Sequence, residues 1–257
     1  MIEITDLSKN YNGLLAVDKI NLSIPKNSIF GFIGPNGAGK STTLNILTGM
    51  ILPTEGEVKI FGYDLKKDST KIKKKIGVVP EVLALFDGLT GEEHLTFVGK
   101  VFEIKENILE SRIKELFDYF DLTSAKDQMI ESYSQGMRKK LAFASAIIHS
   151  PDILFLDEPF ENVDPFVRKK MKEILIKFKN NEKTVMITSH SLIELEDLCD
   201  EVAIINKGKI VFRAETKNIR TKIKNEITNE TYKSLEEIFL TVTKNNEMEP
   251  VKELSWL

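Results

Sequence analysis

Residues Gly34 to Ser41 read GPNGAGKS and follow a short apolar run, Ile29-Phe30-Gly31-Phe32-Ile33. This is the phosphate-binding loop pattern G-x-x-x-x-G-K-[ST], with a strand-like segment before it and a helical one after. Glycines let successive backbone N–H groups turn inward around a phosphate chain, which a Cβ would obstruct. Lys40 can reach the β- and γ-phosphates as a mobile point charge, and the Ser41 hydroxyl can ligate Mg²⁺. The helix beginning here, through Leu44, Ile46 and Leu47, aims its positive end at the same place. The pattern predicts a nucleoside triphosphate site made by Gly34, Pro35, Asn36, Gly37, Ala38, Gly39, Lys40, Ser41 and Thr42.

A second segment completes that chemistry. Ile153-Leu154-Phe155-Leu156 is an apolar strand that ends in Asp157-Glu158. In open α/β sheets ligands bind beyond the carboxyl ends of the strands, so both acids fall where a nucleotide sits. Asp157 is placed to hold Mg²⁺ opposite Ser41, and Glu158 to activate water for attack on the γ-phosphate. His190 follows Thr188-Ser189 just past the strand Thr184 to Ile187. That strand-end position makes it a candidate sensor of the γ-phosphate.

The rest of the chain alternates strands and helices. Ile2 to Leu7 and Ile20, Leu22, Ile24 read as strands, then Val58 with Ile60, then Ile76 to Val79, stopped by Pro80. Leu95, Val98, Val101 and Phe102 are expected on one helical face, and Ile113, Leu116, Phe117 and Phe120 on the next. Helices follow over Gly136 to His149, Pro165 to Phe178 and Leu192 to Leu198, with strands near Val202 and Ile210. Such alternation predicts an α/β fold with a mainly parallel sheet covered on both faces. The helical block near 85–150 reads as an inserted subdomain. We expect a main domain over 1–215 and a polar tail over 216–257. Leu235, Ile238, Phe239 and Val242 give that tail an apolar stripe that needs a cover.

Composition narrows the function classes. Net charge is −3, with 36 basic and 39 acidic residues well mixed, which argues against a protein that coats nucleic acid. The basic run Lys71 to Lys75 reads as a solvated face before a strand. No apolar run approaches a membrane span, and the first residues form no secretory leader, so a cytosolic location is expected. One cysteine, Cys199, excludes an intrachain disulfide; we expect a half-buried thiol on an amphipathic helix.

Over about residues 1 to 215 the chain resembles the ATP-binding subunits of ATP-binding-cassette (ABC) transporters. Ser132-Tyr133-Ser134-Gln135-Gly136-Met137-Arg138 is similar to that family's signature motif LSGGQ, and it lies just upstream of the Asp157-Glu158 strand as the family requires. The resemblance implies a P-loop NTPase core with an N-terminal antiparallel β subdomain and an inserted α-helical subdomain. It implies Mg²⁺-dependent ATP hydrolysis by a head-to-tail homodimer or heterodimer, with two ATP molecules sandwiched between subunits. Ser134 and Gly136 would then meet the nucleotide of the partner, where a helix N-terminus favours negative charge. Tyr11 matches the aromatic that stacks on adenine, and Asp164 the acid of a loop that crosses the interface. The permease would be a separate transmembrane chain, and this subunit would sit peripherally on the cytoplasmic face of the cell membrane. The Tyr-Ser-x-Gly-Met-Arg spelling resembles subunits that serve exporters of the ABC-2 type.

Two departures stand out. Tyr133, Gln135 and Met137 replace the Leu, first Gly and Gln of the signature. Glu81, in IGVVPE, stands where the family usually has Gln. A carboxylate binds a metal more strongly than an amide and cannot donate while ionised, so Glu81 joins Ser41 and Asp157 as a candidate Mg²⁺ ligand. The competing readings are a soluble ABC-family ATPase not coupled to transport and a non-catalytic partner in a heterodimer. A single cassette without a long coiled-coil insertion disfavours the first. The presence of both Glu158 and the Ser134–Gly136 pair disfavours the second.

Overall fold

The computed structural model describes residues 1–221, 223 and 231–243; the rest of the expected 216–257 tail lies outside the described residues. The chain opens with β1 (Ile2–Tyr11), β2 (Leu14–Ile24) and β3 (Ile29–Ile33), then α1 (Lys40–Leu47). Next come β4 (Glu55–Ile60), β5 (Tyr63–Asp64), α2 (Ser69–Lys73) and β6 (Ile76–Val79). Three helices follow, α3 (Gly91–Val101), α4 (Glu106–Tyr119) and α5 (Gln135–Ile147), before β7 (Ile153–Asp157). The remainder is α6 (Pro165–Asn180), β8 (Thr184–Thr188), α7 (Leu192–Leu198), β9 (Glu201–Asn206), β10 (Lys209–Glu215), α8 (Thr216–Ile219) and α9 (Leu235–Thr243).

Two sheets form. The larger has the order β10-β9-β3-β8-β7-β6, parallel except for the edge strand β10. The smaller, β2-β1-β4-β5, is antiparallel. Strands β3, β7 and β8 are buried along their whole length, which is why each reads as a continuous apolar run rather than an alternating one. Their side chains still alternate between two cores. Ile33, Leu154, Leu156, Val185 and Ile187 pack with the helices α3 to α7. Phe30, Phe32, Phe155 and Met186 face α1 and the antiparallel sheet.

Local sequence explains where the helices start. Thr90 and Glu93 make a reciprocal capping box on α3. Asp164 caps α6 by accepting from the amides of Phe166 and Val167, with Pro165 in the first turn. Ser134 caps α5. At the chain's other end, α9 buries Leu235 and Ile238. Glu196 on α7 holds it there, one carboxylate oxygen accepting from the Leu235 amide (2.8 Å) and the other from Arg220 Nε (2.7 Å).

Two sequence expectations are corrected. Val101 does not share the buried face of Leu95; it is 59% exposed. Six residues of helix carry it roughly 120° around the axis from Leu95. Cys199 is fully buried rather than half-buried and follows α7 instead of lying on it. Its sulfur packs against Gly31 of β3, and burial pushes the thiol pKa up. The run Lys71 to Lys75 is solvated except for Ile72, and its lysines pair with Asp68, Glu103 and Asp152.

His149, just past α5, stacks on Phe102 with ring centroids 3.6 Å apart and hydrogen-bonds through Nε2 to the Ile76 carbonyl (2.9 Å). Burial pushes its pKa from the ordinary 6.5 to about 4. Between those values the unfolded chain takes up a proton that the folded one refuses, so stability falls as pH falls through that window. We expect a loss of up to about 3 kcal/mol between pH 6.5 and 4, and a shallower slope in His149→Gln. Urea titrations at stepped pH check this; identical slopes would remove His149 as the cause.

Candidate active site

The carboxyl ends of β3, β8 and β7 lie side by side, and each delivers one part of the site. After β3 the chain turns through Gly34–Gly39 into α1. Gly39 caps that helix at φ 111°, and a Cβ there would come 2.5 Å from the Ala16 carbonyl oxygen. Only glycine fits both the backbone and the approach of β2. Lys40 is buried, and its ammonium donates to the Gly34 (2.8 Å) and Pro35 (3.2 Å) carbonyls, spanning the loop.

Asp157 and Glu158 leave β7 as expected, and Thr188 at the end of β8 joins them. Its hydroxyl donates to the Asp157 carboxylate and accepts from the Glu158 amide (3.2 Å). Glu158 adopts φ 47°, rare for a residue with a side chain. Its Oε2 accepts from the His190 amide (3.2 Å) and pairs with His190 Nδ1 (3.0 Å). Glu81, after β6, accepts a long hydrogen bond from the Ser41 hydroxyl (3.4 Å).

These groups share one cavity of about 770 Å³. Tyr11, Asn36, Gly37, Gly39, Lys40, Ser41, Thr42, Glu81, Asp157, Glu158 and His190 all line it, with Leu14, Ala16 and Glu161. Gly34, Pro35 and Ala38 belong to the loop but do not line the cavity. A separate cleft of about 650 Å³ between α3 and α4 contains none of the residues expected at the site.

Ser134 and Gly136 are not in the cavity. Ser134 is exposed at the start of α5, where its hydroxyl oxygen accepts from the Met137 amide (3.2 Å). Asp164 is likewise exposed, as the cap of α6. Thr188 and Glu161 were missed in the sequence, and so was Lys139, whose ammonium donates to the Glu158 carbonyl (2.7 Å). A threonine ending a buried strand beside the Asp157 strand was the available signal for the first. No local pattern marks the other two.

Residues 17–161 match the family model described as ABC transporter. The chain belongs to the ABC transporter family. It is 35% identical over 222 residues to the daunorubicin/doxorubicin resistance ATP-binding protein DrrA of Streptomyces peucetius, covering 86% of this chain and 67% of that one. It is 36% identical over 212 residues to the bacitracin transport ATP-binding protein BcrA of Bacillus licheniformis, covering 82% and 68%. A solved ATP-binding subunit of an ABC transporter superposes with a TM-score of 0.87 at 27% identity, over 95% of this chain and all of that one. A dimeric ATP-binding cassette bound to ADP and Pi, in a post-hydrolysis state, superposes at 0.78 with 25% identity, over 84% and 99%. The chain is therefore an ATP-binding protein with ATPase activity.

The altered signature has its own packing. Tyr133 is buried, and its hydroxyl donates to the Ala125 carbonyl (2.7 Å). It reaches that carbonyl across Gly91, where an added Cβ would overlap the tyrosine oxygen. Gly91→Ala should therefore cost about 1–3 kcal/mol by overpacking, and Tyr133→Leu should relieve most of it. Urea denaturation of the two single variants and the double variant checks this; costs that simply add would show that the residues do not share the space.

Proposed function

We propose that this chain is the motor subunit of an exporter, bound peripherally to the cytoplasmic face of a membrane through a separate permease chain. The observation that carries the reading is the single cavity joining the phosphate loop, Asp157-Glu158 and His190. In this reading the pathway for cargo belongs to another chain; among the described residues no helix is long and apolar enough to cross a membrane. Export is supported by the resistance and transport functions for which DrrA and BcrA are named.

In the proposed cycle Tyr11 stacks on adenine, while Asn36 to Thr42 wrap the phosphates and Lys40 neutralises the γ-phosphate. Two subunits close head to tail. Ser134 and Gly136 of each then reach the nucleotide held by the other, a reading supported by their absence from this chain's own cavity. Glu158 takes a proton from the attacking water as its general base, and His190 orients that carboxylate and the γ-phosphate. Positioning and charge do the rest, as in other phosphoryl transfers.

Ser41, Asp157 and Glu81 are the residues that would hold Mg²⁺. The donor set suits it: oxygen ligands only, on one cavity wall, with Ser41 and Glu81 already in contact. Mg²⁺ is commonly held by one or two carboxylates together with water and substrate phosphates, so a set this small is enough. When bound, the ion neutralises charge on the β- and γ-phosphates.

Glu158→Gln should lower ATP turnover at least about 100-fold and leave an ATP-bound dimer on gel filtration. Only monomer in the presence of ATP would overturn the sandwich. Glu81→Gln should raise the Mg²⁺ concentration needed for half-maximal hydrolysis. An unchanged rate and Mg²⁺ titration would remove Glu81 from the metal site.

A further inference from the structure

Helix α5 carries a buried cation in addition to the exposed Ser134 at its start. Lys139 lies one and a half turns further on, is 5% exposed, and directs its ammonium to the Glu158 carbonyl oxygen at 2.7 Å. A lysine is almost never this buried unless it has a partner. Burial lowers its pKa, while the carboxylates of Glu161, Glu158, Asp157 and Glu81 favour the charged form.

What the lysine holds is unusual. At φ 47° Glu158 is in the left-handed region, a strained conformation that persists only where the surroundings over-determine it. Thr188 fixes the amide side, through its carbonyl and its hydroxyl, each 3.2 Å from the Glu158 nitrogen. Lys139 fixes the carbonyl side. The Glu158 peptide is thus gripped from β8 on one flank and from α5 on the other, and its carboxylate is left to face His190 and the cavity.

We propose that Lys139 is a positioning residue for hydrolysis: it holds the strained Glu158 backbone so that the carboxylate keeps its aim at the attacking water. The proposal rests on the reading of Glu158 as the general base. It also gives α5 two duties, since the helix that starts at Ser134 reaches the backbone of this chain's own Glu158 through Lys139.

A double-mutant cycle on the full chain tests this, with single-turnover ATP hydrolysis and binding of a fluorescent ATP analogue as readouts. Lys139→Met should lower the hydrolysis rate at least tenfold while nucleotide affinity stays within twofold. Lys139→Gln, which keeps an N–H donor, should recover part of that loss. In a Glu158→Gln background Lys139→Met should have no further effect, because a residue acting through Glu158 has nothing left to position. Should the methionine variant fail to fold, the glutamine variant is read in the same cycle. A rate within twofold of wild type, or an equal loss with and without Glu158, would overturn the proposal. If Glu158→Gln alone leaves turnover intact, it is the assignment of the base that fails, whatever the Lys139 variants do.

Discussion

Three parallel strands ending together are the constraint on which the site depends. With β8 hydrogen-bonded between β3 and β7, the phosphate loop, the two acids and His190 arrive at one rim although they are far apart in the chain. Thr188 stitches that rim by bonding to both Asp157 and the Glu158 amide. A one-residue slip of β8 would turn the Thr188 side chain to the opposite face of the sheet, leaving the Asp157 carboxylate without its hydroxyl donor and the Glu158 amide without its hydroxyl acceptor. The register of a buried sheet is thus part of the active-site geometry.

The same strands, buried on both faces, are stabilised by packing into two cores. Successive side chains serve different cores, one beneath the helices that begin with α3 and one beneath α1 and the antiparallel sheet. The second core brings Tyr11, Leu14 and Ala16 to the cavity wall beside the phosphate loop. The first core holds α5, and with it Ser134 and Lys139. The second core thus lines the cavity directly, while the first reaches it through Lys139 and the Glu158 carbonyl. Arg138 adds a tie within the helical side, from the first turn of α5 to Asp87 (2.6 Å) and to the Ile130 carbonyl (3.1 Å).

Much of this was legible in the chain because the decisive chemistry is local. Gly34 to Ser41, and the apolar strand that ends in Asp157-Glu158, are short contiguous patterns whose spelling follows from what a phosphate or a metal requires. The strands Ile76 to Val79 and Thr184 to Ile187 were visible for a similar reason, as apolar runs between turn residues, the second extending one residue further to Thr188 in the structure. Residues whose meaning is tertiary were not visible. Thr188 looks like any strand threonine until β7 lies beside it, and Lys139 like any surface lysine until α5 turns it inward. Cys199 was misplaced because its burial depends on Gly31 of a distant strand. Val101 belongs to an apolar pattern, but its position around the helix takes it out of the core.

The pairing of Tyr133 with Gly91 has a consequence for substitution. With the tyrosine hydroxyl on the Ala125 carbonyl, the space that an alanine methyl would need at position 91 is already taken. The two positions are therefore coupled, and what either can accept depends on what the other holds.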